Sequence, residues 1–272
     1  MVGSSGRAAA AAAVAAAAVA AAAAGGVGAT MAPPMWDAWP KPQALTNGST
    51  VLSLSPAFTI SCAAPCPDPL SAAIQRYMGI LFFAGPGAPP AGGPVLSSLV
   101  VTAAADAPLE LGVTENYTLS VPATGAAATL TAPTQWGVLR GLETFSQLVF
   151  WNATPAGGNS YTIPQAPVSV VDFPRFPWRG MLIDTSRHYL TMDAIFTILD
   201  AMSYNKMNRL HWHAVDTDAW SLQSVTYPNF TAAAYSPTAI YSHAAESAVV
   251  AAAWERGISV VPEFDLPAHA ES

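Results

Sequence analysis

Trp178-Arg179-Gly180-Met181-Leu182-Ile183-Asp184-Thr185-Ser186-Arg187-His188 is the stretch that decides how this chain folds. A short apolar run, Met181 to Ile183, delivers Asp184 at its carboxyl end; polar residues follow, and a helical pattern starts near Thr191. An inner strand of a parallel sheet reads this way. The pattern recurs in Asn208-Arg209-Leu210-His211-Trp212-His213-Ala214-Val215-Asp216, and again in Gly257-Ile258-Ser259-Val260-Val261-Pro262-Glu263-Phe264-Asp265. Three strands ending in acids or histidines, separated by helix-like sequence, predict the first three βα units of a (β/α)8 TIM barrel over residues 173–272. Such a barrel carries its site at the carboxyl ends of the strands and needs eight of them to close, so it is expected to be incomplete within this chain.

Working outward, Ile195, Ile198, Leu199 and Met202 predict the buried stripe of the first barrel helix, and residues 244–256 a second helix, with Val249, Val250 and Trp254. Tyr227 to Ser242 reads as a long βα loop. Upstream, Val51-Leu52-Ser53-Leu54, Leu99-Val100-Val101, Leu109 to Val113, Tyr117 to Val121 and Thr129-Leu130-Thr131 read as strands. Helical spacing of apolar residues marks Leu70 to Leu81, and Thr134 to Phe150 with Thr134 as its cap. Together they predict an α+β domain over 51–165, an antiparallel sheet with helices on one face. Residues 30–50, rich in proline and alanine, read as a linker, and the polar, glycine- and proline-rich run 152–165 as the boundary to the second domain.

Only 10% of the 272 residues are charged and the formal net charge is −7, so no basic surface exists to neutralise phosphates, and nucleic acid is excluded as a partner. Ala8 to Ala24 is nearly pure alanine, preceded by Arg7 and followed by small residues. Residues 1–29 therefore have the layout of a secretory signal peptide; a low-complexity tract or a single-span anchor are the other readings. Asn47, Asn116, Asn152 and Asn229 begin Asn-x-Ser/Thr sequons, which point with the leader to the secretory pathway. Cys62 and Cys66 are the only cysteines; secretion would permit a small disulfide loop, and two free thiols are the alternative.

His211 and His213 share one face of their strand, as do Glu263 and Asp265 of theirs. One reading is a metal site; the other is a hydrogen-bonded polar layer at the upper end of the barrel. Arg179 could grip sugar hydroxyls or a carboxylate, and Asp216 could tune a neighbouring histidine. Trp178, Trp212 and Trp220 offer flat faces for sugar rings, although such residues are more often core.

The first of these stretches, extended over Phe176 to Leu190, together with Leu199 to Asn208, Leu210 to Asp216 and Pro262-Glu263-Phe264-Asp265-Leu266-Pro267-Ala268-His269, closely resembles the β-N-acetylhexosaminidases, the family 20 glycoside hydrolases. Trp136 to Leu148 is similar to the end of that family's N-terminal domain, so the resemblance spans about residues 50–272. It implies a retaining exo-hydrolase, using no cofactor and no metal, that removes terminal β-linked N-acetylglucosamine or N-acetylgalactosamine from a glycoprotein, glycolipid or chitooligosaccharide. The substrate's own acetamido oxygen would attack the anomeric carbon, a departure from the two-carboxylate scheme. By motif, Arg179 would bind the terminal sugar, Asp216 and His269 would support the catalytic acid, and His213, Glu263 and Asp265 would line the site. The resemblance further implies a lysosomal, vacuolar or extracellular location and a homodimer once the barrel is complete.

Departures from the family pattern matter. No Asp-Glu dipeptide occurs in the 272 residues, so the expected acid and its aspartate partner are absent, and the chain alone is expected to be inactive. Ala268 stands where the family usually has glycine, and Thr217 where relatives often have a second aspartate. A truncated product that binds glycans or a partner is the alternative function.

Overall fold

The computed structural model describes residues 38–272 apart from 86, 89–91, 126 and 154–158. The expected signal peptide at 1–29 and the first part of the expected linker lie outside the described residues. Two compact units form: the first holds residues up to Asp106 and Thr114–Pro174, the second Ala107–Val113 and Arg175–Ser272.

The first unit contains β1 (Ala44–Cys62), α1 (Leu70–Leu81), β2 (Val95–Ala105), β3 (Tyr117–Val121), β4 (Ala128–Thr134), α2 (Gln135–Leu148), β5 (Phe150–Ala153) and β6 (Asn159–Asp172). Its six-stranded sheet runs β1-β2-β4-β3-β6-β5, and β1 also pairs with β6. The sheet is mixed, which corrects the antiparallel expectation: β1–β2 and β2–β4 are parallel, while β1–β6, β3–β4, β3–β6 and β5–β6 are antiparallel. The cause is α1, which carries the chain from the end of β1 back to the start of β2, as a parallel pair requires.

Residues expected as linkers turn out to be strand. The first half of β1 lies beside β6, from Ala44↔Val171 to Ser53↔Thr162, and the second half lies beside β2, from Ser53↔Val95 to Cys62↔Val101. Ala44 to Ser49 are largely exposed, so their side-chain pattern does not advertise the backbone pairing that holds them. Residues on both sides of 154–158 pair as β5 and β6, so the domain extends past Gln165 to Asp172. Leu109 to Val113 is a turn rather than a strand, with Gly112 at φ +84°.

Nearly every side chain of α2 is buried. Thr134 caps it, accepting a hydrogen bond from the Gly137 amide at 3.4 Å. Gly141 brings α2 down onto the sheet, since a Cβ there would collide with Leu130. Arg140 reaches the buried carboxylate of Glu115 at 3.4 Å. A disulfide joins Cys62 to Cys66 in the turn between β1 and α1.

The second unit contains β7 (Gly180–Asp184), α3 (Met192–Tyr204), β8 (Arg209–Asp216), β9 (Ala219–Trp220), a short 3-10 helix (Pro228–Ala233), α4 (His243–Trp254) and β10 (Ser259–Phe264). Strands β10, β8 and β7 lie side by side in parallel, and β9 folds back against β8. Among the described residues two βα units are complete, and β10 stands as the strand of a third. Ile183, Leu210 and Trp212 pack against Ile195, Leu199 and Met202 of α3 and Val249 and Ala253 of α4. Trp212 is therefore core rather than a sugar platform, its indole N–H donating to the Thr185 hydroxyl at 2.8 Å. On α4, Val249 and Ala253 take the inward stripe, so Val250 and Trp254 remain 52% and 38% exposed.

Candidate active site

Strand register builds the site. Asp184 pairs with His213 and His213 with Glu263, one row at the carboxyl ends of three adjacent strands. The row beneath is Leu182, His211 and Val261. Ile183 and Trp212 alternate with these residues and point into the helices, so both rows share the opposite face. Neighbouring strands lie about 4.8 Å apart, so the register sets the His213 ring between carboxylates.

The resulting network is continuous. Glu263 Oε2 lies 2.5 Å from His211 Nε2 and 3.1 Å from His213 Nδ1. His213 Nε2 lies 2.9 Å from Asp216 Oδ2, and Asp216 Oδ1 lies 3.1 Å from His269 Nδ1. The Thr217 amide donates to Asp216 Oδ1 at 2.6 Å. Arg187, in the loop after β7, donates through Nη1 to Asp184 Oδ2 at 2.8 Å and through Nη2 to Asp216 Oδ2. Asp184 in turn caps that loop, accepting from the amides of Ser186 at 3.1 Å and Arg187 at 2.9 Å.

Asp216 is 1% exposed, and burial alone would raise its pKa. Bonds from His213, the Thr217 amide and His269, with the charge of Arg187, outweigh burial and hold it below the ordinary carboxylate range. For His213, burial works against the charged ring, but the carboxylates of Asp216 and Glu263 prevail and raise its pKa. Glu263 is lowered, first by its bond to His213, against some burial, and then by His211.

Not every expected site residue is here. Arg179 precedes β7 and stands at its amino end, about 16 Å along the strand from Asp184 at a rise of 3.3 Å per residue. Its Nε donates to the Lys206 carbonyl at 2.8 Å and Nη1 to the Phe176 carbonyl at 2.9 Å, tying loops at the base of the sheet. The arginine at the site is Arg187, which sequence reading passed over although it follows the carboxyl end of the strand, where the barrel rule places chemistry. Asp184 likewise carried no expected role, whereas His211, expected in a metal site or a polar layer, bonds Glu263 within the network. Trp178 also sits at the amino end, under the Arg209 guanidinium at 5.8 Å. Trp220 lies at the carboxyl end against Phe230 and Phe264, with ring centroids 4.3 and 6.0 Å away.

Asp265 places a carboxylate oxygen within 4.8 Å of donor atoms of His213 and Glu263, and of Asp216 and His269. These donors are engaged with one another, both nitrogens of His213 included, so the polar-layer reading describes the geometry. Ala268, standing where the family usually has glycine, has no positive φ; its neighbour His269 does, with φ +58°. Of the sequons, Asn47 on β1, Asn152 on β5 and Asn229 on the 3-10 helix are exposed, and Asn116 is half-buried before β3.

Residues 176–272 match the catalytic domain of glycosyl hydrolase family 20, and residues 38–148 match a domain described as beta-acetyl hexosaminidase like. Beta-hexosaminidase 1 of Arabidopsis thaliana is 41% identical over 255 residues, 86% of this chain and 46% of that protein. Beta-hexosaminidase subunit A1 of Dictyostelium discoideum is 38% identical over 232 residues, 85% of this chain and 42% of that one. The solved chitobiase of Flavobacterium johnsoniae superposes with a TM-score of 0.73 at 28% identity, over 85% of this chain and 35% of its own. The chain thus spans less than half the length of these relatives.

Proposed function

Because this chain belongs to glycosyl hydrolase family 20, we propose that it supplies part of the machinery of a β-N-acetylhexosaminidase, a retaining exo-hydrolase of terminal β-linked N-acetylhexosamines. The observation that carries the reading is the Asp216–His269 pair, buttressed by Arg187 and His213 at the carboxyl ends of parallel strands. Solved relatives described as family 20 enzymes or hexosaminidases include complexes with N-acetylglucosamine, which supports the same sugar class here.

Each residue has a role on this reading. Arg187, half exposed at the rim, offers its guanidinium fork to sugar hydroxyls, the part first assigned to Arg179. Asp216 stays ionised and holds His269, and the pair supports the acid that protonates the leaving oxygen. The sugar's acetamido oxygen is the nucleophile, so fixed dipoles and anions around the ring stabilise the developing positive charge. Closure of β7, β8 and β10 into an eight-stranded barrel, an acid on a later strand, homodimerisation, and passage through the secretory pathway to a lysosome, vacuole or the exterior belong to the same proposal.

Reading the transcript past the codon for Ser272 tests it. An open frame encoding a fourth apolar strand followed by Asp-Glu is the expected result; a reproducible stop codon there would remove the hydrolase reading in favour of glycan or partner binding. The 272-residue chain itself should release no p-nitrophenol from p-nitrophenyl N-acetyl-β-glucosaminide. Turnover above the blank would show that the acid lies within these 272 residues.

A further inference from the structure

We propose that Glu263 is a positioning residue of this site: with Asp216 it clamps the His213 ring as an imidazolium, and the clamped ring fixes which oxygen of Asp216 is presented to His269. The inference rests on the reading of Asp216 and His269 as supports of the acid, and adds to it a device one strand away.

The argument is one of donors and acceptors. A neutral imidazole has one N–H and one lone pair, whereas an ionised carboxylate only accepts. His213 Nδ1 faces Glu263 Oε2 at 3.1 Å and Nε2 faces Asp216 Oδ2 at 2.9 Å. A neutral ring would point a lone pair at one of those oxygens, in a site where His213 is 7% exposed. The proton could sit on a carboxyl group instead, but both acids are held below their ordinary range, so the ring keeps it.

The surrounding charges agree with this arrangement in balance. Asp184 faces His213 from β7, and Asp265 lies near it beyond β10; both favour the cation. Arg187 reaches the same Asp216 oxygen from the loop after β7 and opposes it, as do His211, which shares Glu263, and His269, when either is charged. Two cationic donors, Arg187 Nη2 and His213 Nε2, therefore occupy Oδ2 of Asp216. Oδ1 is left to the Thr217 amide at 2.6 Å and to His269 Nδ1 at 3.1 Å. Asp216 cannot rotate away from His269 without breaking both cationic contacts.

Long-range proton–nitrogen NMR of the five histidine side chains tests this. The His213 signals would be identified by their loss in His213→Asn. At about pH 7.5, a unit above the ordinary imidazole value, both His213 ring nitrogens should still carry protons. Glu263→Gln keeps size and an acceptor oxygen but removes the charge, and should lower the His213 titration midpoint by about one pH unit or more. Glu263→Asp, which keeps the charge, should restore part of that loss; a role in packing alone would not separate the two variants. A neutral His213 ring at that pH in the unaltered protein, or an unmoved midpoint in Glu263→Gln, would overturn the proposal. The readout needs no hydrolysis, so a reproducible stop codon after Ser272 would sink the enzyme reading and leave the clamp standing, whereas a neutral His213 ring would sink the clamp alone.

Discussion

Arg179 and Arg187 show what position does to two identical side chains. Arg179 bonds backbone carbonyls at the amino end of β7, so Arg179→Ala should lower stability by about 1.5–3 kcal/mol, the range for hydrogen bonds to charged groups, without altering sugar binding. Urea unfolding beside a binding titration with N-acetylglucosamine would check it; lost binding at unchanged stability would return Arg179 to the site. The carboxylate and histidine shifts carry a pH dependence whose sign is determined. Asp216 and Glu263 are lowered, so their contribution is fully present above the ordinary carboxylate range, near pH 4, and fades as pH falls. His213 is raised, so its contribution is full below about pH 6.5 and fades as pH climbs through the raised value. A plateau of thermal stability between about pH 4 and 6.5 is expected from this cluster, and His213→Asn should flatten the alkaline limb. A melting temperature that still fell identically above neutrality in that variant would locate the effect elsewhere.

At the scale of the element, helices and strands were legible in different degrees. Helices α2, α3 and α4 were visible from apolar periodicity, and the structure caps them with the hydroxyl side chains of Thr134, Thr191 and Ser242. Ser242→Ala should cost about 1 kcal/mol by the usual value of a lost N-cap, measurable by chemical denaturation. Glycines in helices were not legible, because one helix presses on a sheet and another faces open space. Gly141→Ala should cost about 1–3 kcal/mol through overpacking against Leu130 and Tyr117, whereas Gly79→Ala, with no described residue near its Cβ on α1, should gain about 0.5–1 kcal/mol. Equal effects at the two positions would contradict the packing of α2.

For the molecule as a whole, the two units differ in how their sheets end. In the first, β1 pairs with β2 along one half and with β6 along the other, so its long strand serves both sides of the sheet. In the second, β7 and β10 are edges, and Leu182, Phe264 and Leu266 are 52%, 49% and 65% exposed. Expressed separately, residues 38–174 should elute as a monomer, while 175–272 should self-associate through open edges and apolar surface. Size-exclusion chromatography decides it, and a monomeric second unit would argue against an unclosed barrel.

What the sequence determined by itself is what local pattern encodes. Apolar runs ending in acids marked β7, β8 and β10, periodicity marked α1 to α4, and alternation along one strand put His211 and His213 on a common face. Tertiary structure alone decided the rest: that Ala44 to Ser49 are strand, that the first sheet is mixed, and that Arg187 rather than Arg179 meets Asp216. The physical reason is range. Turns of helix and faces of strands are set by residues a few positions apart, whereas strand pairing joins residues as distant as Ala44 and Val171, and the Glu263–His213–Asp216–His269 chain joins residues about fifty positions apart, whose meeting depends on register.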